Sequence, residues 1–335
     1  MHVTPLRPAA VYALPDVALI GGSALVYAGN LQSALAPFPF DAGRELLAEE
    51  TVGRLRRRAR EGGGWDFAMQ APVQNLGHLK QNASPLNLMH PANYFHFLIE
   101  ALPSFISLIE RQEVTKDSVV VSGILHPNMW AALRYALGQL ELPVFQLRPM
   151  QSVTCDRVVT AQPTWHATHL LRGGISDSEF NPANLRLLRR RFAPLWEATP
   201  KAPTQKIYVR RVSSFRSVTN AQEVERLAQE AGYRIVQPEH LNFFQQVELF
   251  SSASHIMGPT GAWAANLLFA PETAQIDVFC PETTKTDRNV WVGLGEPIGL
   301  KVDILYCPIT RPHKHYPIHS DFVIPLQELA ARLHA

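Results

Sequence analysis

The stretch SHIMGPTGAWAANLLFAP (residues 254–271) decides the fold that the sequence predicts. A short apolar strand runs into Gly-Pro-Thr-Gly-Ala, and a segment of helical spacing follows at once. A helix beginning near Gly261 would expose unpaired N–H groups and a positive dipole end, which suits a phosphate. Gly258 and Gly261 would let an oxygen approach the backbone closely. The turn matches neither of the known phosphate-binding loop motifs, GxxxxGK(S/T) and GxGxxG. A tight connection whose glycines only permit packing therefore remains an alternative.

Strands and helices alternate regularly on both sides of this turn. KIYVR, YRIVQ, SHIMG, AQIDVF and KVDILYC are typical of strands, and the segments between most of them have helical spacing. This pattern predicts a parallel sheet with helices on both faces, where ligands bind at the carboxyl ends of strands. A strand, a helix and a strand are also predicted from about residue 118. The expected fold class is therefore α/β, with two Rossmann-like domains facing a central cleft.

The domain boundary is predicted beside a Pro-rich segment, residues 193–204, which we interpret as a linker. The N-terminal domain would span residues 1–195 and the C-terminal domain residues 196–335. Within the first, residues 1–80 are expected to be strand-rich and irregular, with two strands around Gly21-Gly22. Residues 46–64 are expected to form a helix that ends in a glycine run. Its basic face, residues 54–60, is interpreted as solvated, with contact to anionic lipid or an acidic acceptor as the alternative.

A second candidate site follows the predicted strand KIYVR. The strand ends in Arg210 and Arg211, and the loop after it carries Arg216. An arginine presents a fixed fork of donors that matches phosphate oxygens. If this domain binds a nucleotide diphosphate, the strand end should face the same cleft as Gly258. Surface arginines paired with Glu223 or Glu225 are the alternative.

A third candidate site lies on the apolar segment of residues 90–112. One side of the predicted helix is apolar, and the other carries His96 and Glu100 four residues apart, which places them on one face. Such a pair can place a proton acceptor near neutral pH. Pro103 removes a helical N–H donor and should kink or restart the helix. A solvated face of an amphipathic helix is the alternative.

Composition limits the other functions. The chain of 335 residues has a formal net charge of +2, too small to indicate nucleic acid as a partner. No apolar run reaches the length of a membrane span, no signal peptide is expected, and three scattered cysteines fit a reducing cytoplasm. Histidines at 313, 315 and 319 lack an acidic partner for a metal site. The chain has no Asp-x-Asp motif, which argues against holding a diphosphate through a divalent cation.

Taken in order, the three candidate stretches resemble glycosyltransferase family 61. The resemblance rests on NYFHFLIEALP, IYVRRVSSFRSVTNAQEV and GPTGAWAANLLFAP, and it covers roughly residues 90–335. It implies the GT-B architecture and inverting, metal-independent transfer of a sugar from a nucleotide-sugar donor. Catalysis is assigned to His96 and Glu100, one of which would be the base, and Asn93 and Tyr94 are placed in the acceptor region or cleft. The residues assigned to donor binding are Arg210, Arg211, Arg216, Gly258, Thr260, Gly261, Ala262 and Asn266.

Two departures from the family pattern matter. Thr260 stands where the family has a histidine, and Val278 stands beside Asp277 where a glutamate is usual. These departures leave open a non-catalytic nucleotide-sugar-binding or scaffold protein of a polysaccharide assembly complex. The resemblance otherwise implies a bacterial, cytoplasmic enzyme of capsule, exopolysaccharide or lipopolysaccharide synthesis. Its acceptor would be a glycan or a lipid-linked glycan, with at most peripheral contact with the inner membrane, and an oligomer is possible.

Overall fold

Two compact units make up the chain, residues 1–165 and residues 166–335. The computed structural model describes residues 11–22, 26–28, 34–35, 55–59, 65–69, 73–88, 91–161, 165–167, 178–198, 202–283, 290–314 and 317–334. Within these ranges, no helix is both long and apolar enough to cross a lipid bilayer.

A seven-stranded mixed sheet forms the first unit. In spatial order its strands are β3 (Ala34–Leu35), β2 (Val26–Ala28), β1 (Val11–Ile20), β9 (Gln151–Ala161), β6 (Gln74–Leu86), β7 (Ser118–Gly123) and β8 (Val144–Leu147). Strands β9, β6, β7 and β8 run parallel, whereas β1 is antiparallel to β9 and to β2. Helix α1 (Leu102–Glu110) follows β6, and helix α2 (Pro127–Leu137) follows β7. The two strands around Gly21-Gly22 and the strand, helix and strand from residue 118 are confirmed.

The helix predicted over residues 46–64 is wrong where the structure describes it. Residues Leu55–Ala59 form strand β4, which pairs antiparallel with strand β5 (Trp65–Met69). The register joins Ala59 to Trp65 and Leu55 to Met69, so the glycine run stands in the sequence between two paired strands. Cross-strand pairing decides the conformation here and overrides the helix propensity of the arginines. The basic run therefore lies largely on a strand.

The second unit contains a five-stranded parallel sheet. Its spatial order is β13 (Arg234–Val236), β12 (Gln205–Val209), β14 (Ala253–Pro259), β15 (Gln275–Pro281) and β16 (Val302–Cys307). This is the doubly wound order 2-1-3-4-5, whose direction of winding reverses between β12 and β14. The carboxyl ends of these two strands carry the second and first candidate sites of the sequence. The alternating pattern of the last third therefore predicted this sheet correctly.

Helices cover both faces of that sheet. One face packs on α5 (Ala221–Glu230) and α8 (Leu326–Leu333), with Tyr208, Met257 and Phe279 buried beneath them. Further helices are α6 (Phe243–Ser251), α7 (Val290–Gly295) and the 3₁₀ helices Pro238–His240, Ala262–Phe269, Glu296–Ile298 and Pro317–His319. Two-stranded pairs are formed by β10 (Trp165–Ala167) with β11 (Ser178–Phe180) and by β17 (Ile309–Arg311) with β18 (Asp321–Phe322).

Residues 166–195 belong to the second unit by their contacts, whereas the sequence placed them in the N-terminal domain. Helix α3 (Pro182–Phe192) ends in Phe192, whose ring lies 5.5 Å from that of Phe243 and 5.8 Å from that of Phe269. A short helix, α4 (Pro194–Glu197), follows within the predicted linker, and its Trp196 contacts Phe269. Aromatic packing thus ties the described part of the Pro-rich segment to the second unit.

The helices α5 and α6 begin in different ways. Asn220 precedes α5, but its side chain does not cap the helix and instead exchanges two hydrogen bonds with the backbone of Ile324. A complete capping box stands at α6, where Asn242 and Gln245 bond to each other's backbone N–H. At α5, contact with the C-terminal segment therefore takes the place of a side-chain cap by Asn220.

Candidate functional site

Arg211 lies just beyond the carboxyl end of β12, at the point where the winding of the sheet reverses. Its guanidinium donates to the carbonyl of Thr260 at 3.1 Å, to the carbonyl of Phe215 at 3.4 Å and to the hydroxyl of Ser213 at 3.3 Å. The first bond links the end of β12 to the turn that follows β14. The two stretches that the sequence singled out in this region therefore meet at one edge of the sheet.

Glycine is needed at two positions of the turn, for different reasons. A Cβ at Gly258 would lie 2.8 Å from the carbonyl oxygen of Val209, so this glycine lets β14 pack closely on β12. A Cβ at Gly261 would lie 2.6 Å from a terminal nitrogen of Arg211. Gly258 therefore serves strand packing, and Gly261 makes room for the guanidinium.

Arg216 occupies the loop after Arg211 in an unusual conformation. Its φ is +57°, a left-handed value that non-glycine residues seldom adopt, and its N–H donates to the carbonyl of His319 at 3.0 Å. The two guanidinium carbons lie 5.4 Å (Arg216) and 5.6 Å (Arg211) from the centre of the Phe215 ring. Among the described residues, the buried Nε of Arg216 has no hydrogen-bond partner. A donor is thus held inside the protein with its hydrogen-bonding capacity unused.

Electrostatics at this edge favour an anion. Burial, followed by the charge of Arg216, lowers the pKa of Arg211 to about 10, although Glu239 acts in the opposite direction. Burial also lowers the pKa of Arg216. The shift of Arg211 expresses the cost of holding two positive charges close together and partly out of water, and the shift of Arg216 expresses the cost of burial. A bound anion would offset that cost.

Thr260 is buried at the centre of this arrangement. Its N–H donates to the carbonyl of Phe279 at 2.8 Å, and its own carbonyl accepts from Arg211. Its side chain hydrogen-bonds to Cys280, whose pKa burial raises to about 11. Ala262 is exposed and begins the helix Ala262–Phe269, which is 3₁₀. Because 3₁₀ hydrogen bonds are poorly aligned, this helix start presents a weaker positive end than an α-helix would.

Two residues assigned to donor binding lie elsewhere. Arg210 forms an ion pair with Glu225, with Nε 2.8 Å from one carboxylate oxygen, which is the alternative that the sequence left open. Asn266 is fully buried, and its amide donates to Gln246 at 2.8 Å. Gln246 in turn donates to the carbonyls of Pro238 and Leu241 in the segment before α6, so Asn266 supports the packing of this region. Neither of these bonds connects the side chain to Arg211.

His96 and Glu100 are in direct contact in the first unit. The imidazole Nδ1 lies 2.7 Å from a carboxylate oxygen of Glu100, and both side chains are partly exposed. The segment His96–Ala101 is a π-helical turn, and α1 starts immediately after it at Leu102, next to Pro103. The expected restart at Pro103 is confirmed, since the wider turn accommodates the missing N–H donor.

The residues before His96 anchor the start of this turn. The side chain of Asn93 accepts from the N–H groups of Phe95 at 3.0 Å and His96 at 3.3 Å. The phenol of Tyr94 is surrounded by protein, and this burial raises its pKa well above the usual range. Asn93 thus positions His96 through the backbone, and Tyr94 stays in its neutral form.

A buried network in the second unit escaped the sequence analysis. His255 on β14 lies 2.7 Å from a carboxylate oxygen of Asp277 on β15, and Arg332 of α8 pairs with the other oxygen. Tyr233 hydrogen-bonds to the second nitrogen of His255. Asp277 therefore ties α8 to the sheet. Only the register of β14 on β15 brings these residues together, so no local spacing could have revealed them.

Metal ligands do not cluster in the part of the chain that the structure describes: no group of three or more His, Cys, Asp or Glu side chains comes together there. His315 lies outside the described residues, whereas His319 lies beside Arg216 and the ring of His313 lies beside that of His319.

Comparison with known proteins identifies the family. The profile of the family described as Glycosyltransferase 61 matches residues 94–276, more than half of the chain. The matched range contains the His96–Glu100 pair, the arginine loop and the turn at Gly258–Gly261. No curated protein matches the chain significantly. On its sequence and the sites that this match spans, the chain belongs to glycosyltransferase family 61 and is a glycosyltransferase.

Proposed function

We propose that the second unit binds the diphosphate of a nucleotide sugar at the carboxyl ends of β12 and β14, and that the sugar is transferred to a glycan acceptor. The observation that carries this proposal is the placement of Arg211, Arg216 and the turn at Thr260–Gly261 at the reversal point of a doubly wound sheet. Open α/β sheets bind nucleotides at this position.

Charge supports the choice of a diphosphate. One arginine about 4 Å from a phosphate oxygen contributes about 4 kcal/mol at an effective dielectric constant of about 20. Arg211 is held in place by three hydrogen bonds, so little reorganisation is needed when the leaving group becomes charged. The unpartnered Nε of Arg216 supplies a further donor. Two guanidiniums acting together would take over the part that a metal ion plays in other enzymes, which makes transfer independent of a metal in this proposal.

We assign the deprotonation of the acceptor hydroxyl to the His96–Glu100 pair. When His96 donates its Nδ1–H to the Glu100 carboxylate, the lone pair of the neutral ring is on Nε2. That tautomer is the one a general base requires, and the carboxylate stabilises the imidazolium formed by proton transfer. We therefore assign the role of general base, which accepts the proton of the hydroxyl, to His96. Glu100 orients the imidazole ring. Direct attack of the activated hydroxyl on the sugar gives inversion.

The wider setting belongs to the same proposal. It includes the GT-B arrangement, an acceptor that is a glycan or lipid-linked glycan, and a place in bacterial surface polysaccharide synthesis. A cytoplasmic location is supported by the three cysteines, all of which are buried and unpaired as thiols.

A thermal-shift screen tests the proposal. Nucleotide diphosphates and nucleotide sugars are added in the presence of EDTA, and a ligand at 100 times its dissociation constant should stabilise the protein by about 2.7 kcal/mol. Arg216→Met should abolish the shift, whereas Arg226→Met, which breaks the exposed pair of Arg226 with Glu230, should retain it. Stabilisation that requires a divalent cation, or no stabilisation by any of these compounds, would refute the proposal.

A further inference from the structure

The arginine loop is fastened to a segment near the C-terminus. Arg216 donates its N–H to His319, Ser217 donates its N–H to the carboxylate of Asp321 at 2.8 Å, and the backbones of Ser217 and Phe322 are bonded at 3.0 Å. Thr219 adds a bond from its N–H to the carbonyl of Phe322 at 2.9 Å. These bonds fix where His319 stands relative to Arg216.

Aromatic and cationic groups collect around Phe215. The ring of His319 lies 4.7 Å from that of Phe215 at an interplanar angle of 31°, and the ring of His313 lies 5.4 Å from that of His319, edge to face. The guanidiniums of Arg211 and Arg216 lie near the same phenyl ring. We call Arg211, Arg216, His313 and His319 the arginine–histidine cluster.

The charges that lower the pKa of His319 belong to cationic neighbours in the described part of the chain. Burial, then Arg216, His313 and Arg211, lower the pKa of His319 to about 4. The nearest acidic neighbour along the chain, Asp321, accepts from the N–H of Ser217. His319 is therefore neutral at physiological pH as long as the cluster holds no anion.

We propose that His319 is a further anion-binding residue, which takes up a proton from solvent when an anion binds to the arginine–histidine cluster. The anion introduces negative charge next to the cationic neighbours of the ring, so the protonated imidazole becomes a third cationic contact beside the two guanidiniums. Anion binding to this site is consequently coupled to proton uptake. The identification of the natural anion as the donor diphosphate rests on the proposed function. The inference that this site binds an anion does not.

The size of the coupling follows from linkage. An opposite charge close to a titrating group commonly shifts its pKa by about one to three units. A rise of about two units, from about 4 to about 6, makes the anion bind about tenfold more tightly at about pH 5 than at about pH 8. The sign is fixed because the bound state holds more protons than the free state throughout that range.

Inorganic sulfate is the probe, because it keeps its two negative charges across this pH range. Its dissociation constant is measured at about pH 5 and about pH 8 for the wild type, for His319→Gln and for His334→Gln, an exposed histidine at the end of α8. The wild type and His334→Gln should bind about tenfold more tightly at the lower pH. His319→Gln should lose most of that difference. An unchanged ratio in a folded His319→Gln protein would overturn the proposal.

A direct titration does not depend on the variant. The imidazole proton resonance of His319 is followed against pH by NMR, with and without saturating sulfate. The proposal predicts that sulfate raises the pKa of His319, and an identical pKa in both series would overturn it. If sulfate couples to His319 while no nucleotide sugar binds, this inference holds and the proposed function fails. If nucleotide sugars bind and His319 does not respond to sulfate, the proposed function holds and this inference fails.

Discussion

Substituting alanine for Gly261 should weaken donor binding by displacing the guanidinium of Arg211. The new Cβ would lie 2.6 Å from a terminal nitrogen of Arg211, so the guanidinium must move by somewhat less than 1 Å to restore ordinary contact. Backbone strain does not contribute, because φ at Gly261 is 177°, which any residue adopts. The next contact of the new Cβ is Cδ1 of Trp263 at 3.2 Å, so the substitution acts mainly, and first, on the side chain of Arg211.

The expected loss of binding free energy for the nucleotide sugar has two contributions. Moving a charge from about 4 to about 5 Å from a phosphate costs about 0.8 kcal/mol at an effective dielectric constant of about 20. Losing the hydrogen bond from Arg211 to the carbonyl of Thr260 costs about 1 kcal/mol more. Together these predict a dissociation constant for the nucleotide sugar that is about 20-fold higher.

A double-mutant cycle, measured by calorimetric titration of the nucleotide sugar, isolates this mechanism. In an Arg211→Ala background, Gly261→Ala should have almost no further effect, because the group it displaces is gone. Gly258→Ala is the matched control: its Cβ would meet the carbonyl of Val209 at 2.8 Å, so it should lower the free energy of unfolding. Additive losses from Gly261→Ala and Arg211→Ala would refute the reasoning.

The remaining predictions concern the base and the buried network. His96→Gln should lower turnover by about 100-fold or more and leave nucleotide-sugar affinity unchanged, and Glu100→Gln should lower turnover less, as steady-state kinetics and titration would show; equal turnover in His96→Gln would end the assignment. Arg332→Met should lower the free energy of unfolding in urea by about 3 kcal/mol, because it leaves the Asp277 carboxylate buried without its cation. Burial raises the pKa of Asp277, but the bonds from His255 and Arg332 outweigh it and hold the pKa below the ordinary 3.8, so the stability that they provide is present at neutral pH and lost as the pH falls below that value. A pH–stability curve with no loss at acid pH would contradict the last expectation.

Much of the second unit could be predicted from its sequence, because its signals are local. Alternation of strands and helices is encoded by apolar spacing, and every strand predicted in the last third is present. The meeting of Arg211 with the turn at Thr260 could also be predicted, since carboxyl ends of neighbouring parallel strands share an edge. The contact between His96 and Glu100 could be predicted as well, because residues four positions apart lie on one face of a helix.

Sequence-based predictions failed where contacts between distant segments determine the structure. The hairpin of β4 and β5 depends on pairing between two segments, which helix propensity cannot anticipate. Asn266 and Arg210 have the right residue types for a donor site, but Gln246 and Glu225, brought near by tertiary packing, hold them. His319 lies about a hundred residues from Arg216 in the sequence and reaches it through backbone bonds of the C-terminal segment.

The central claim is that the buried arginines of the second unit bind the donor diphosphate. Its most direct test is an NMR titration of the arginine Nε–H resonances with a nucleotide sugar in EDTA. Arg216 carries a buried Nε with no hydrogen-bond partner among the described residues, so its resonance should shift strongly and its exchange with solvent should slow as the site fills. The exposed pair of Arg226 should give a constant signal. Saturable binding that leaves the signals of Arg211 and Arg216 unchanged would contradict the account.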